Sequence, residues 1–212
     1  NNGGLTINAE TGEITGYSDV KSGSLSAGAT RMFVYATFDK PIIDSGKLSG
    51  ESRDNVTGFI RFDTKGKSDK AVTMKIATSL ISVEQAKKNL EQEIKSSDTF
   101  EIIKDKAHKK WEDKLKIIEV EGASEDQLVT LYSNMYRLFL YPNSGYENVG
   151  TTKKPEYKYA SPFSPASGQN TPTETGAKVV DGKTYVNNGF WDTYRTTWPA
   201  YSLLTPTKAG EM

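Results

Sequence analysis

The stretch "NNGFWDTYRTTWPAYSLL", residues 187–204, gathers Phe190, Trp191, Tyr194, Trp198 and Tyr201 around one acid, Asp192, and one base, Arg195. These side-chain types suit a pyranose. A carboxylate or guanidinium can bridge vicinal hydroxyls, and an aromatic ring can cover the apolar C–H face of the sugar. A Trp-Asp pair at the mouth of a helix would supply both. A plainer role is equally open to Asp192: an acid in a first helical turn complements the helix dipole and can pair with Arg195, three residues on. The residues Phe190, Tyr194, Trp198 and Tyr201 follow at helical spacing and so share one face, the pattern of a stripe packed against neighbouring helices. Trp191 and Asp192 lie off that face. Pro199 inside the pattern is expected to kink the helix or end its first part.

Few other residues compete for a chemical role. The chain has no Cys, which excludes disulfides, thiolate catalysis and Cys-based metal sites. Its single histidine, His108 in "KAHKKWEDK", has no triad partner or ligand set near it in sequence and reads as a surface residue. Lys plus Arg and Asp plus Glu number 27 each, so no net field draws the chain to nucleic acid. No apolar run approaches the ~20 residues of a membrane helix. With 212 residues, the chain can form one large domain or two small ones.

The elements that must position residues 187–204 fall into two regimes. Residues 1–81 read as antiparallel β. The runs "GGLTI", "EITGYSD", "RMFVYATFD", "VTGFIRFD" and "AVTMKIATSL" are separated by turn clusters rich in Gly, Ser, Asp and Lys. Both faces of "RMFVYATFD" are apolar, which predicts a strand inside a sandwich rather than at its edge. Asn55-Val56-Thr57 fits the glycosylation triplet, a pattern too frequent by chance to carry weight.

The period changes at Ser82. Ser82 with Gln85 and Ser124 with Gln127 have the spacing of capping boxes, and they predict helices over 82–96 and 124–141. Between them, Phe100, Ile103, Ala107, Trp111, Leu115 and Ile118 form one stripe of a helix over 99–117. Residues 143–189 are polar and long for a structureless connection, so short strands are expected at "KYASPF" and "VVDGKTYV", with Asp181-Gly182 as a hairpin turn.

Taken together these motifs resemble glycoside hydrolase family 92, the exo-acting α-mannosidases. "GFWDTYRTTWPAYSLLTP" is similar to the family's Trp-Asp-Thr-aromatic-Arg segment. "AKKNLEQEI" is similar to its inter-domain helix, and "WEDKLKIIEVEGASEDQLVTLYSNMYRLFLYPN" to the segment leading into the first barrel helix. The resemblance covers residues 82–212 well and the earlier β part only in kind. It implies an α+β chain: the C-terminal part of a β-sandwich domain (1–81), a helical linker (82–122), and the first helices of an α/α toroid (123–212). It further implies calcium-dependent, inverting removal of terminal α-linked mannose, α-1,2-linked, from mannose-containing glycans, by a secreted or surface-attached bacterial enzyme. In this frame Asp192 binds the terminal mannose, Trp191 lines the pocket and Arg195 supports Asp192. The catalytic acid and base are expected beyond Met212, and the calcium ligands outside residues 1–212. Residues 1–212 then read as a piece of a longer enzyme, missing both ends and inactive alone. The polar 143–189 segment departs from the commoner family pattern and bears on linkage specificity. A non-catalytic carbohydrate-binding protein using the same Trp-Asp pair is the rival reading.

Overall fold

A computed structural model describes residues 3–20, 31–50, 56–66, 68 and 70–212. Asn55 of the glycosylation triplet lies outside the described residues. Two compact units divide the chain: Asn1–Ser96 with Glu147–Gly182, and Ser97–Tyr146 with Lys183–Met212.

The first unit opens with β1 (Gly3–Asn8), β2 (Glu13–Ser18), β3 (Met32–Phe38), β4 (Ile42–Lys47), β5 (Gly58–Phe62) and β6 (Met74–Ser79). Four of these form an antiparallel sheet in the order β1-β2-β3-β6, and β4 pairs with β5. The apolar character of both faces of β3 has a direct cause. Tyr35 packs with Ala86 and Leu90 of the first helix, α1 (Val83–Glu93), joined by Ala77 and Ile94. One residue parity away, Phe38 meets Phe62 of β5 with ring centroids 5.1 Å apart. The sheet is therefore covered by a helix on one face and by the β4–β5 hairpin on the other. Gly58 permits the close approach: a Cβ there would stand 2.8 Å from Ile7 Cδ1 and 2.9 Å from the Gly46 carbonyl oxygen.

Helix α1 also binds the later part of this unit through its polar residues. Glu147 accepts hydrogen bonds from the Leu80 amide and from Asn89 Nδ2, each at 2.8 Å. Asn148 Oδ1 accepts from the Gly150 and Glu156 amides, both at 3.0 Å, while its Nδ2 donates to Gln92 Oε1 at 2.9 Å. The segment so held opens a three-stranded sheet formed by 147–148, 157–160 and 179–181.

In the second unit, α2 (Phe100–Leu115) and α3 (Glu125–Leu138) follow the predicted ranges closely. Ser124 and Gln127 form the reciprocal capping box expected of them. At Ser82 only half of the box exists. Its hydroxyl accepts from the Gln85 amide, but the Gln85 side chain turns instead to Asn89 and the Asn148 carbonyl. The α2 stripe is not buried as its pattern suggests. Trp111 lies on Tyr136 of α3 at 4.5 Å between centroids, whereas Phe100 is 70% exposed.

Downstream come β7 (Asn143–Ser144), β8 (Glu147–Asn148), β9 (Tyr157–Ala160), β10 (Val179–Asp181) and β11 (Tyr185–Val186). The strand expected at "KYASPF" is present as Tyr157–Ala160 and the one at "VVDGKTYV" as the two short strands β10 and β11, but Asp181-Gly182 is not a hairpin turn. β10 pairs with β9 in the first unit, and β11 pairs with β7 in the second. Gly182, at φ +116°, is where the chain leaves one unit for the other, its amide donating to the Tyr157 carbonyl. The positive φ that favours a hairpin turn serves an exit instead. Three short helices close the chain: α4 (Phe190–Thr193), α5 (Thr197–Leu204) and α6 (Pro206–Glu211). A sheet-rich first part followed by helices is the α+β arrangement expected from the sequence.

Candidate functional site

The opening stretch does not form one helix. Helix α4 spans a single turn, and the chain breaks at Thr196, with φ −125° and ψ −67°, before α5 begins. Pro199 explains the break. In a continuous helix its ring would collide with the Arg195 carbonyl and leave it without a donor. Starting α5 at Thr197 places Pro199 in the first turn, where no amide hydrogen is needed. Of the two outcomes expected at Pro199, a kink or an end to the first part of the helix, the second is found.

The break splits the aromatic stripe. Tyr201 is 2% exposed, and its hydroxyl lies against the carbonyls of Leu138 and Tyr141, to one of which it donates at a time. Phe139 stacks on it at 6.0 Å, and Trp198 meets it edge-on at 5.8 Å. Trp198 is half-buried, and its enclosed Nε1 has no hydrogen-bond partner among the described residues. Phe190 departs from the packed role its spacing implies. It is 64% exposed and touches Tyr194 in a stacked pair at 5.6 Å.

Trp191 is 85% exposed and stands perpendicular to Tyr194 at 6.2 Å. Most of the indole surface is therefore open to solvent. Asp192 is exposed as well, the third residue of α4. Among the described residues its carboxylate has neither an ion-pair partner nor a side-chain hydrogen bond. Arg195 does not pair with it: the guanidinium lies over the Tyr194 ring, 5.2 Å from its centroid. Tyr194 thus carries Phe190, Trp191 and Arg195 around one ring. Gly189 makes room for the acid, since a Cβ at that position would sit 2.7 Å from Asp192 Oδ2. The result is an open indole beside an unpaired carboxylate, able to offer an apolar platform and two acceptor oxygens to a polyhydroxylated ligand. His108 is exposed on α2 and takes no part. Among the described residues, no group of three or more His, Asp or Glu side chains is placed to hold a metal ion.

The structure also assembles a polar cluster that spacing could not reveal, because its members come from α6 and, more than twenty residues earlier, from β11 and the loop just before it. Lys208 Nζ donates to the Tyr185 hydroxyl at 2.6 Å and pairs with Glu211 Oε1 at 3.0 Å, and Lys183 reaches the same oxygen at 2.9 Å. Tyr185 also hydrogen-bonds Glu211. These donors, Tyr185 first, hold the Glu211 carboxyl down at about 2. Burial, aided by the bond to Glu211, pushes the Tyr185 phenol up to about 12. The cluster ties α6 to the β7–β11 ladder.

Residues 85–212 match the sequence model of the glycosyl hydrolase family 92 catalytic domain. No curated protein sequence matches the chain. Among solved structures, the chain is similar to the family GH92 inverting mannosidase BT2199 from Bacteroides thetaiotaomicron: 28% identity and a TM-score of 0.75, over 95% of this chain and 26% of that one. The GH92 α-mannosidase BT3965 from the same organism is 22% identical with a TM-score of 0.69, over 94% of this chain and 26% of its own. Its complex with mannoimidazole matches at 21% identity and a TM-score of 0.68, over 94% and 25%. At that identity the BT3965 likeness concerns the fold. The chain spans about a quarter of the length of these mannosidases, 26% of the first.

Proposed function

The chain belongs to glycosyl hydrolase family 92, and on that footing we propose that the whole enzyme removes terminal α-linked mannose from mannose-containing glycans. The observation that carries the reading to particular residues is the pairing of an exposed Trp191 with an Asp192 that has no internal partner among the described residues. A carboxylate kept out of ion pairs is ready to accept hydrogen bonds from two sugar hydroxyls. A tryptophan left open beside it can cover the sugar's C–H face. Arg195, held on Tyr194, supports the patch through that ring rather than through Asp192.

Hydrolysis with inversion needs two carboxyl groups about 6.5–9.5 Å apart, one protonating the leaving oxygen and one activating water. We assign neither role within residues 1–212, and both are proposed to come from further chain. Without them, 1–212 alone is expected to release no mannose, since each group contributes about 10²–10⁴-fold. Among the described residues no group of three or more acidic side chains is placed to hold the calcium ion implied by the resemblance, and its ligands are proposed to lie elsewhere in the enzyme. The division at residues 82 and 123 into sandwich, linker and toroid belongs to the same proposal, as does a secreted or surface location in a bacterium. No helix among the described residues is long and apolar enough to cross a membrane.

The test is release of mannose by the full-length protein from α-1,2-, α-1,3- and α-1,6-linked mannobiosides, with NMR reading the first anomer formed. Appearance of β-mannose from the α-1,2 substrate is the expected result. Mannose binding without any release would leave a carbohydrate-binding protein and overturn the enzymatic reading.

A further inference from the structure

Residues 161–177 of the first unit line an open pocket of about 260 Å³. Its lining includes Ser161, Ser164, Gln169, Asn170 and Thr175, with Pro162 and two alanines among the apolar remainder. No charged side chain lines it. A wall of hydroxyls and carboxamides without ionic groups matches a neutral ligand rich in hydroxyls. An anion or a cation would gain little there. The volume lies just below the ~300 Å³ at which pockets for drug-sized ligands begin, and so fits a single sugar ring.

The pocket is pre-built. Ser161 is buried, and its Oγ accepts from the Ser164 amide at 3.0 Å while donating to Ser164 Oγ at 2.9 Å. Asn170 Oδ1 accepts from the Gly176 amide at 2.7 Å, and the Ser167 amide donates to the Gly176 carbonyl at 2.8 Å. The backbone comes so close there that a Cβ at Gly176 would stand 2.4 Å from the Gly168 oxygen. These bonds fix the loop but leave the Gln169 carboxamide without a partner among the described residues. Between the lining residues Pro162 and Ser164, Phe163 is 86% exposed. The phenyl ring is not itself part of the lining, but it is carried between two lining residues and lies largely in water, so pocket and ring together offer the polar and apolar halves that a pyranose presents.

We infer that the 161–177 loop is a second saccharide-binding site, in the unit that does not contain Trp191 and Asp192. It holds one neutral hexose of an extended glycan, with Phe163 against the ring face and Gln169 on its hydroxyls. The ordered hydrogen bonds limit the entropy lost on binding. The inference goes beyond the proposed activity and stands apart from it in the test.

Affinity electrophoresis of the intact enzyme through gels containing soluble α-mannan reads the pocket directly. Phe163→Ala and Gln169→Ala alter exposed side chains without internal hydrogen bonds, so both variants should fold. Each is expected to weaken retardation at least threefold and to raise KM for α-mannan by a similar factor, with kcat/KM for an aryl α-mannoside unchanged. Retardation equal to wild type in both variants, or no retardation of wild type, overturns the inference and leaves the mannosidase reading intact. Retardation that depends on Phe163 in an enzyme releasing no mannose sustains the pocket and sinks the activity instead.

Discussion

Replacing Asp192 by Asn in the intact enzyme separates the two roles open to this residue. Asp192 makes no ion pair among the described residues and sits on a helix of one turn. What folding can lose is its interaction with the amides of that turn, about 0.3–1 kcal/mol for an exposed carboxylate at a helix start, and less for a helix so short. Binding can lose more. A hydrogen bond to a charged group is worth about 1.5–3 kcal/mol, and the amide keeps one acceptor oxygen but no charge. Loss of one charge-assisted bond then lowers kcat/KM by about 10- to 150-fold, at 1.36 kcal/mol per factor of ten. Gly189→Ala is a companion variant. Its φ of −83° suits alanine, but the added Cβ displaces the carboxylate, so kcat/KM should fall with little change in stability. The assay is continuous release from an aryl α-mannoside, with thermal melts of the same preparations. A kcat/KM within twofold of wild type in Asp192→Asn would refute the binding role. So would a Tm clearly below that of wild type, because that loss would belong to folding.

Three further outcomes test the framework around the site. Tyr201→Phe removes the proton shared with the Leu138 and Tyr141 carbonyls and should cost about 1–2 kcal/mol, while Tyr201→Ala should cost about 3–5 kcal/mol, both read by denaturant unfolding. Asn148→Ala breaks bonds to Gly150, Glu156 and Gln92 and should cost about 2–4 kcal/mol, with faster hydrogen exchange across 147–160 as its signature. Glu211 has a carboxyl held at about 2, below its ordinary 4.5, so its contribution is fully present above pH 4.5 and is lost as pH falls toward 2. Exchange protection of α6 should weaken across that window, and Glu211→Gln should flatten the dependence; equal protection at pH 5 and pH 2.5 would contradict it.

Local signals in the sequence were reliable where their partners were also local. Ser124 and Gln127 satisfy one another within a single turn, and nothing elsewhere competes for them. Ser82 and Gln85 have the same spacing but a different outcome, because the Gln85 side chain donates its Nε2 to the Asn148 carbonyl, 63 residues on. β4 escapes a reading by pattern for a related reason. Its Asp44, Ser45 and Gly46 look like turn residues, and they hold a strand only because β5 supplies the ladder. The Asp181-Gly182 turn was legible as a change of direction, but its destination depends on which strands β10 and β11 find, and sequence alone does not state that.

The site shows the same division within a few residues. The types that could bind a sugar were visible at Trp191 and Asp192, and their position off the repeating stripe was correct as far as spacing goes. What spacing could not show is that Pro199 would cut the helix ahead of itself, which turns Phe190 out to solvent and leaves Tyr194 as the ring that carries Trp191 and Arg195. Trp198 stays on the far side of that break, packed on Tyr201. Two tryptophans of one motif therefore meet opposite environments through a single backbone event. The exposed one is the harder to explain by folding alone, since an indole left almost wholly in water contributes little to a core. The unpaired carboxylate beside it would serve a polyhydroxylated ligand or a packing surface that brings its own donors, and Asp192→Asn separates the two: the first loses kcat/KM, the second loses stability.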